Sequence, residues 1–429
     1  MRGRRGGHAL GRRVDVEAAA AILFSAPGDA VWLDGGARDR HLLARGERVA
    51  LPTAGVIPAL RAALAEPGAL GLVGWLGYEA GHETVGVPAA PPGEAPGAWL
   101  RVQELLEVDP VTGHAEAHVG AGAPGSAVEL AARWEAALAA AAPLAPPSDP
   151  APSGPARWRD EPEAYRAAVA ACLAAIREGE AYQLCLTTRV DVPGRFDPFA
   201  VHRRLRSATT SHHGALLRLG ERALVSASPE RFLEVRAGSV RSRPIKGTRP
   251  RSSDADEDAR LAAELRADPK EQAENLMIVD LVRNDLSRVC TPGTVAVTGL
   301  HEVESYPPVH QLVSTVEGRL RPGLDALDAL AALFPAGSMT GAPKRRAMQL
   351  LAELEGAPRG AYAGAFGWIG ADGDADLAMT IRTIELDAHG ASIGTGGGIT
   401  AGSDPEREWR EARLKARAPL AALGVVETD

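Results

Sequence analysis

Lys246 stands in the stretch RSRPIKGTRP, residues 241–250, a single ammonium in a run so punctuated by proline and glycine that it reads as a turn, too short and polar for a core strand. Glu230 lies sixteen residues upstream in SASPERF, and the segment between them, RFLEVRAGSVRSR, has the pattern of a hairpin that returns the chain. Brought to one end of a sheet, the two groups make an acid and a nucleophile. Burial raises the pKa of a carboxyl so that it donates a proton, while apolar walls or nearby cations lower that of a lysine so that it attacks. A plain salt bridge is the competing reading.

Glu271 and Glu274 are three residues apart, as are Glu408 and Glu411, so each pair projects from one face of its helix. Two such faces brought together form a cage of oxygen donors suited to Mg²⁺, which takes a few carboxylates, keeps several waters and accepts the rest of its shell from an anionic substrate. Against this, Glu271 can complete a helix cap with Asp268, and Glu411 can pair with Lys415 at i,i+4. Two glycine-rich runs, IGTGGGITAGSDP and PAGSMTGAPKRRA, read as loops whose N–H groups could cradle a carboxylate or phosphate. Neither is a nucleotide fingerprint, because Ile399 replaces the third glycine of GxGxxG and no GK[ST] follows.

The elements that must position these groups are legible around them. Asp268 and Pro269 have the types and order of a helix start, and predict a long helix from Pro269 to Arg288; SDPEREWREARLKAR opens a last helix. Tyr165, Val169, Cys172, Leu173 and Ile176 recur at helical spacing, and near Gly179 the pattern changes to period two in AYQLCLTTRV. Gln183 then shares a strand face with Cys185 and Thr187, opposite Tyr182, Leu184 and Leu186. AVWLDGG, ALGLVGWLGYEAG, GALLRL, RALVSAS, RFLEVRA and SVRSR read as further strands. Strand runs interleaved with helices, without βαβ alternation, predict an α+β fold.

A run rich in proline, alanine and serine, residues 136–156, reads as a linker or long loop between an N-terminal scaffold part, 1–135, and the chemistry-bearing region, 157–425. Hydrophobic content of 45% and charged content of 24% are those of a folded globular chain. A net charge of -8 excludes the broad basic footprint of a nucleic-acid binder. The basic start MRGRRGGHALGRR is followed by VDVE, not by an apolar core, and is expected to be a disordered tail and no signal peptide. With no apolar run of membrane-spanning length and three cysteines in no metal spacing, a reducing cytoplasm is the expected compartment.

The segments GEAYQLCLTTR, SASPERF, RPIKGTRPR, DPKEQAENLMIVDLVRNDLSRV, PPVHQLVSTVEG, FPAGSMTGAPKRRAM, RGAYAGAFGWI, MTIRTIEL and GTGGGITAGSDPEREWREARLKAR run in that order over residues 179–417. Together they resemble the chorismate-utilising enzymes of the anthranilate synthase component I type, and GYEAG extends a weaker match towards the N-terminus. The resemblance implies two stacked antiparallel β-sheets with outer helices, chorismate as substrate and Mg²⁺ as cofactor. It implies Glu274 and Glu411 as metal ligands, Glu271 and Glu408 beside them through water, and Glu230 as the acid that protonates the departing C4 hydroxyl. Thr248, Tyr362, Arg382, Gly397 and Lys415 match positions that bind the carboxylates and pyruvyl arm, and Gln183, Ser338, Gly396 and Gly398 complete the implied substrate site.

Two positions separate the branches of the family. Relatives that add water to chorismate carry a lysine base where this chain has Gln183, and an amide cannot deprotonate water. Anthranilate synthases usually read PIAGT where this chain reads PIKGT, the form of aminodeoxychorismate synthase component I, in which the resemblance implies attack of the Lys246 amine on C2. The implied product is 4-amino-4-deoxychorismate, on the way to 4-aminobenzoate and folate. The rivals are an anthranilate or 2-amino-2-deoxyisochorismate synthase component I, which Lys246 disfavours, and a silent chorismate-binding regulatory subunit, which intact Glu230, Lys246 and the four glutamates disfavour. The chain shows no glutaminase triad, so ammonia is expected from a glutamine amidotransferase partner, component II. Gln311, beside His310, stands where several relatives have histidine, and no tryptophan-sensor motif is evident near the N-terminus.

Overall fold

The computed structural model describes residues 6–35, 40–87, 96–209, 211–307 and 309–426. In the N-terminal part the elements are β1 (His8–Ala9), α1 (Val16–Ser25), β2 (Ala30–Asp34), β3 (His41–Arg48), α2 (Val56–Ala65), β4 (Gly71–Leu76), α3 (Gly81–Val85), β5 (Gly97–Val108), β6 (Ala115–Val119) and α4 (Ala127–Ala140). Next come β7 (Arg157–Trp158), α5 (Pro162–Arg177), β8 (Gln183–Pro193), α6 (Pro198–Ala208), β9 (His213–Leu219), β10 (Arg222–Ser228), β11 (Arg231–Arg236), β12 (Ser239–Ser242) and β13 (Ile245–Pro250). The chain continues through α7 (Ala255–Ala267), α8 (Pro269–Ser287), β14 (Ala296–Ser305), β15 (Val309–Arg319), α9 (Ala326–Leu333), β16 (Gly341–Ala342) and α10 (Lys344–Glu355). It ends in β17 (Ala365–Gly370), β18 (Ala375–Met379), β19 (Thr383–Leu386), β20 (Gly390–Ile399) and α11 (Pro405–Ala422).

The fold is α+β, as expected, but its two layers are arms of one antiparallel sheet. Both arms leave from β5, which pairs β3 along one edge and β4 then β6 along the other. One arm runs β3, β2, β9, β10, β19, β20, β8. The other runs β4, β17, β18, β11, β12, β15, with β14 on the far edge of β15. Val31, Leu217 and Leu224 of the first arm share one apolar core with Val73, Phe366 and Trp368 of the second. Arg222 of β10 reaches over the Trp75 ring of β4 at 5.9 Å, a direct contact across the layers. Helices α1, α4, α6 and α11 cover the outer face of the first arm, and α2, α8 and α9 that of the second.

One gap in this sheet is filled by side chains. The outer edge of β8 pairs with β16 at Gln183 and Leu184 and with β7 at Val190 and Asp191, leaving Cys185 to Thr188 without a strand. There Arg359 donates to the Cys185 carbonyl at 2.7 Å and the Thr187 N–H donates to Glu355 at 2.9 Å. Arg359 and Glu355 pair with each other at 2.8 Å, with side chains only 1% and 3% exposed. Glu79 takes the N–H groups of Arg359 and Gly360, and Arg359 lies over the Tyr78 ring at 4.1 Å. The GYEAG segment is thereby tied to the segment that leads to Tyr362.

Several expectations are corrected. RSRPIKGTRP is not a turn at Lys246: Ile245–Pro250 is strand β13, paired to β15 with a register shift between Ile245 and Thr248, and Gly247 at φ 80° supplies the irregularity. IGTGGGITAGSDP is not a loop through its glycines: Gly394 to Ile399 pair residue by residue with β8, and only the segment beyond Ile399 turns into α11. Tyr182 does not join Leu184 and Leu186; it precedes the strand and is 72% exposed, since its N–H is drawn to the Ala342 carbonyl. The basic start is ordered from Gly6, because His8–Ala9 pairs with β6 and Leu10 is buried; residues 1–5 lie outside the described residues. Gly36 and Pro308, within two of the expected segments, lie outside them as well. Helix α4, opened by a Ser126–Glu129 capping box, persists through alanines to Ala140, so irregular chain starts five residues beyond the expected linker boundary at 136. Among the described residues no helix is long and apolar enough to cross a membrane, and the three cysteines are free and buried.

Arg359→Met should lower unfolding stability by about 3–5 kcal/mol, because it strands the Glu355 carboxylate in the interior. Urea denaturation measures this; a loss below about 1 kcal/mol would mean that the edge of β8 is held by other contacts.

Candidate active site

The site forms where the chain crosses between the two arms. Glu230 lies in the crossing from β10 to β11, and Arg382 in the return crossing from β18 to β19. The Met379 N–H donates to the Glu230 carbonyl and the Ala227 N–H to that of Arg382, so the crossings brace each other. Arg382 adopts φ 52°, a left-handed conformation uncommon outside glycine, which turns its guanidinium onto the Lys415 carbonyl at 3.2 Å. Burial lowers its pKa, against the pull of Tyr362 and Glu411, and burial raises that of Tyr362.

The glycines of β20 are the floor. A Cβ on Gly398 would lie 3.1 Å from Gln183 Nε2 and 3.2 Å from Lys246 Nζ; one on Gly397 would lie 2.9 Å from Glu408 Oε2, and 3.9 Å from both Glu411 Oε1 and Lys415 Nζ. Successive residues of a strand face opposite sides, so Gly398 lets groups of β8 and β13 approach one face of β20 and Gly397 lets groups of α11 approach the other. Helix α8 joins through Glu274, whose Oε2 is 3.9 Å from Lys246 Nζ. Lys415 bonds Glu411 at 2.7 Å and the Gly396 carbonyl at 2.8 Å. The expected faces of Gln183, Cys185 and Thr187 against Leu184 and Leu186 hold: the leucines pack with α5, α10 and α11, which leaves Gln183 towards Lys246.

Two features mark this as a place for chemistry. Glu230 is 7% exposed, and burial raises its pKa to about 7, against the Ile245 N–H and the charges of Lys246 and Lys415. Its acceptor contact is that N–H, at 3.4 Å, next in sequence to Lys246. Gln183 is 1% exposed, yet neither its amide nitrogen nor its amide oxygen has a partner. A buried amide left unpaired is costly unless something that enters the site completes it.

Asp268 caps α8 by accepting the N–H groups of Lys270 and Glu271, as predicted, with Pro269 in the first turn. The Glu271 N–H therefore donates to the Asp268 carboxylate, while its own carboxylate faces Arg249 at 3.8 Å. Burial raises the pKa of Glu271, with Glu274 and Asp268 adding to it; burial also raises that of Glu408, with Glu411 adding. In Glu411 the effect of burial is outweighed by Lys415, Lys246 and Lys270, and its pKa falls. Among the described residues no three His, Cys, Asp or Glu side chains converge tightly enough to hold a metal ion by themselves. In kind the donors suit a hard cation that keeps waters, since Glu271 and Glu274 of α8 and Glu408 and Glu411 of α11 offer carboxylate oxygens, with Lys270 and Lys415 beside them.

The remaining sequence-derived residues are dispersed. Thr248 is exposed and paired in register with Gln311. Ser338 is buried with its hydroxyl directed to the Met379 sulfur at 3.5 Å. His310 bonds Ser305 and Asp258 at 2.7 and 3.0 Å, holding β15 to α7. Sequence reasoning missed Lys270, whose ammonium is 3.7 Å from Glu274, and Arg249, which bonds Asp268 at 2.8 Å. The signal for Lys270 was present: a cation in the first turn of a helix opposes the macrodipole.

The family model for the chorismate binding enzyme matches residues 21–421. The chain is 46% identical over 365 residues to an aminodeoxychorismate synthase of Streptomyces pristinaespiralis, covering 82% of this chain and 51% of that one. It is 43% identical over 371 residues to an anthranilate synthase component 1 of Streptomyces coelicolor, covering 82% and 72%. It thus spans about half the length of the two Streptomyces aminodeoxychorismate synthases it matches. The crystal structure of anthranilate synthase component I from Streptococcus pneumoniae superposes with TM-score 0.75 at 29% identity, over 92% of each chain.

Glu230→Gln should alter stability in a pH-dependent way. The folded protein holds the Glu230 proton up to about pH 7 while the unfolded chain releases it near the ordinary 4.5, so native stability is full below 4.5 and is lost as pH rises through 7. The loss amounts to roughly 3 kcal/mol, and the glutamine variant lacks it. Urea midpoints of the two proteins between pH 4.5 and 8 should therefore diverge in favour of the variant; parallel curves would contradict a buried proton.

Proposed function

We propose, from the premise that this chain belongs to the chorismate-binding enzymes, that it aminates chorismate at C4 to give 4-amino-4-deoxychorismate. The observation that carries the reading is the convergence of the Lys246 amine and the unpartnered Gln183 amide on Gly398, with the buried carboxyl of Glu230 held one residue away at Ile245.

Once its ammonium has given up a proton, the amine of Lys246 attacks C2, both conjugated ring double bonds shift, C1=C2 to C1=C6 and C5=C6 to C4=C5, and the C4–O bond breaks. Glu230 gives its proton to the leaving oxygen, water departs, and a carboxylate remains. Ammonia then forms the C4–N bond from the side faced by Gln183, whose amide oxygen accepts its hydrogen bond; both double bonds shift back and the C2–N bond to Lys246 breaks. The new C4 ammonium returns one proton to Glu230, so the enzyme is regenerated and the sum is chorismate plus ammonia giving aminodeoxychorismate plus water. Arg382, beside Tyr362 and Lys415, suits a substrate carboxylate, since a guanidinium binds one through paired hydrogen bonds. Glu274 and Glu411, with Glu271 and Glu408 through water, would hold Mg²⁺, whose charge would anchor the ring carboxylate. Ammonia would come from a glutamine amidotransferase partner, and a reducing cytoplasm is the proposed setting. The anthranilate branch is the second reading, favoured by the 43% identity to an anthranilate synthase component 1; the amine at Lys246 speaks against it.

Chain incubated with chorismate, Mg²⁺ and ammonium should form a product with the mass of aminodeoxychorismate that a lyase converts to 4-aminobenzoate; anthranilate formed without a lyase would reject the assignment. Glutamine should replace ammonium only when a separate amidotransferase is added. Lys246→Ala should lose at least about a hundredfold in C4 amination. Native chain without ammonia should carry a trappable adduct on the peptide containing Lys246, seen by mass spectrometry. A variant that keeps wild-type C4 amination would demote Lys246 to electrostatic support.

A further inference from the structure

Asn275 follows Glu274 on α8, is 0% exposed and takes no part in the proposed reaction. Its amide is satisfied at both ends: Nδ2 donates to the Pro244 carbonyl at 3.3 Å, and Oδ1 accepts from the Ser314 hydroxyl at 2.5 Å. Ser314 of β15, also 0% exposed, accepts in turn from the His301 N–H at 3.0 Å, and its own N–H donates to the Pro244 carbonyl at 3.1 Å. His301 stands at φ 53°, where the ladder between β14 and β15 is shifted. Hydrogen bonds therefore run in one direction from β14 through β15 and α8 to the residue just before β13. The amide sets that direction, because it gives Ser314 an acceptor and Pro244 a donor; a carboxylate has no donor, and a leucine of similar size has neither.

The bonds end at the start of the irregularity that carries Lys246. β13 pairs with β15 at Ile245 and Val313 and again at Thr248 and Gln311, so Lys246 and Gly247 together stand opposite Leu312. With two residues against one, the ladder alone does not fix where the Lys246 side chain lies. The anchorage at the ends of the bulge does, and at the Pro244 end it consists of Asn275 and Ser314. We infer that Asn275 is a positioning residue for C4 amination, its amide holding the bulge of β13 to α8 and thereby fixing the Lys246 amine against Gln183 and Gly398. This rests on the reading of Lys246 as the nucleophile. Arg382, Tyr362 and Lys415, which suit a substrate carboxylate, belong to other elements, so loss of the Asn275 bonds should lower turnover and spare chorismate binding. A nucleophile displaced by about 1 Å costs on the order of a hundredfold in rate.

The test compares wild type, Asn275→Leu, Ser314→Ala and the double variant, each confirmed folded by near-UV circular dichroism at the assay temperature. Asn275→Leu should lose at least about thirtyfold in kcat for C4 amination while KM for chorismate stays within about threefold. Ser314→Ala, which loosens only the acceptor end, should lose about fivefold in kcat. Because both act through one carbonyl, the double variant should stay within about twofold of Asn275→Leu. Reductive methylation with formaldehyde and cyanoborohydride, without chorismate, reads the lysine directly. The peptide containing Lys246 should be modified at least about fivefold faster in Asn275→Leu than in wild type, with Lys270, 58% exposed, as the reference. Asn275→Leu with kcat and methylation both within about twofold of wild type overturns the inference, as does a loss in kcat that only tracks the unfolded fraction. If Asn275→Leu does not fold, Ser314→Ala decides: wild-type kcat together with wild-type methylation of Lys246 overturns it. Faster methylation in the variant with no C4 amination by wild type rejects the proposed function and leaves the hold of Asn275 on Lys246 standing.

Discussion

A carboxylate taken out of water must either keep its proton or find a cation, and the site at the crossing of the two arms is built around both answers. Glu230 keeps its proton to about pH 7, because it is enclosed and meets one weak N–H donor. Glu271, Glu274, Glu408 and Glu411 each stand near Arg249, Lys246, Lys270 or Lys415 instead. In the proposed function Glu230 is the acid and the other four carboxylates are the donors for a hard cation.

That arrangement depends on backbone approaching side chains more closely than a Cβ allows. Gly398 lets Gln183 and Lys246 close on one face of β20, and Gly397 lets Glu408, Glu411 and Lys415 close on the other. β20 can spare its side chains there because its stability comes from the unbroken ladder with β8. β8 in turn is held on its other edge by Arg359 and Glu355 where no strand runs. The path from Glu79 through Arg359 to Cys185 is therefore mechanical support for Gln183 and Tyr362, from residues that touch neither.

The relatives sharpen the chemical question more than the fold does. An aminodeoxychorismate synthase and an anthranilate synthase component 1 match this chain at 46% and 43% identity, so the shared architecture does not choose a nucleophile. In the proposed function the choice falls to the residues facing Gly398, where a strand irregularity at Gly247 presents an amine and β8 presents an amide.

The sequence by itself determined the elements that rest on local rules: the Asp268 cap and Pro269 start of α8, the helical spacing of α5, the two-faced pattern of β8 and the ordered motifs that mark the family. It misjudged the places where local rules and tertiary pairing disagree. Proline and glycine around Lys246 spell a turn, yet a partner strand is available in β15, and pairing wins with one irregularity. The glycines of GTGGG spell a loop, yet β8 lies alongside and the missing side chains leave room for the site. Proximity also belonged to the tertiary structure alone, because Lys246, Glu274, Gly398 and Glu408 come from elements far apart in the chain. Only the doubling of one sheet about β5, with crossings at Glu230 and Arg382, brings their charges close enough to govern one another, since Coulomb interaction depends on distance and dielectric and not on sequence separation.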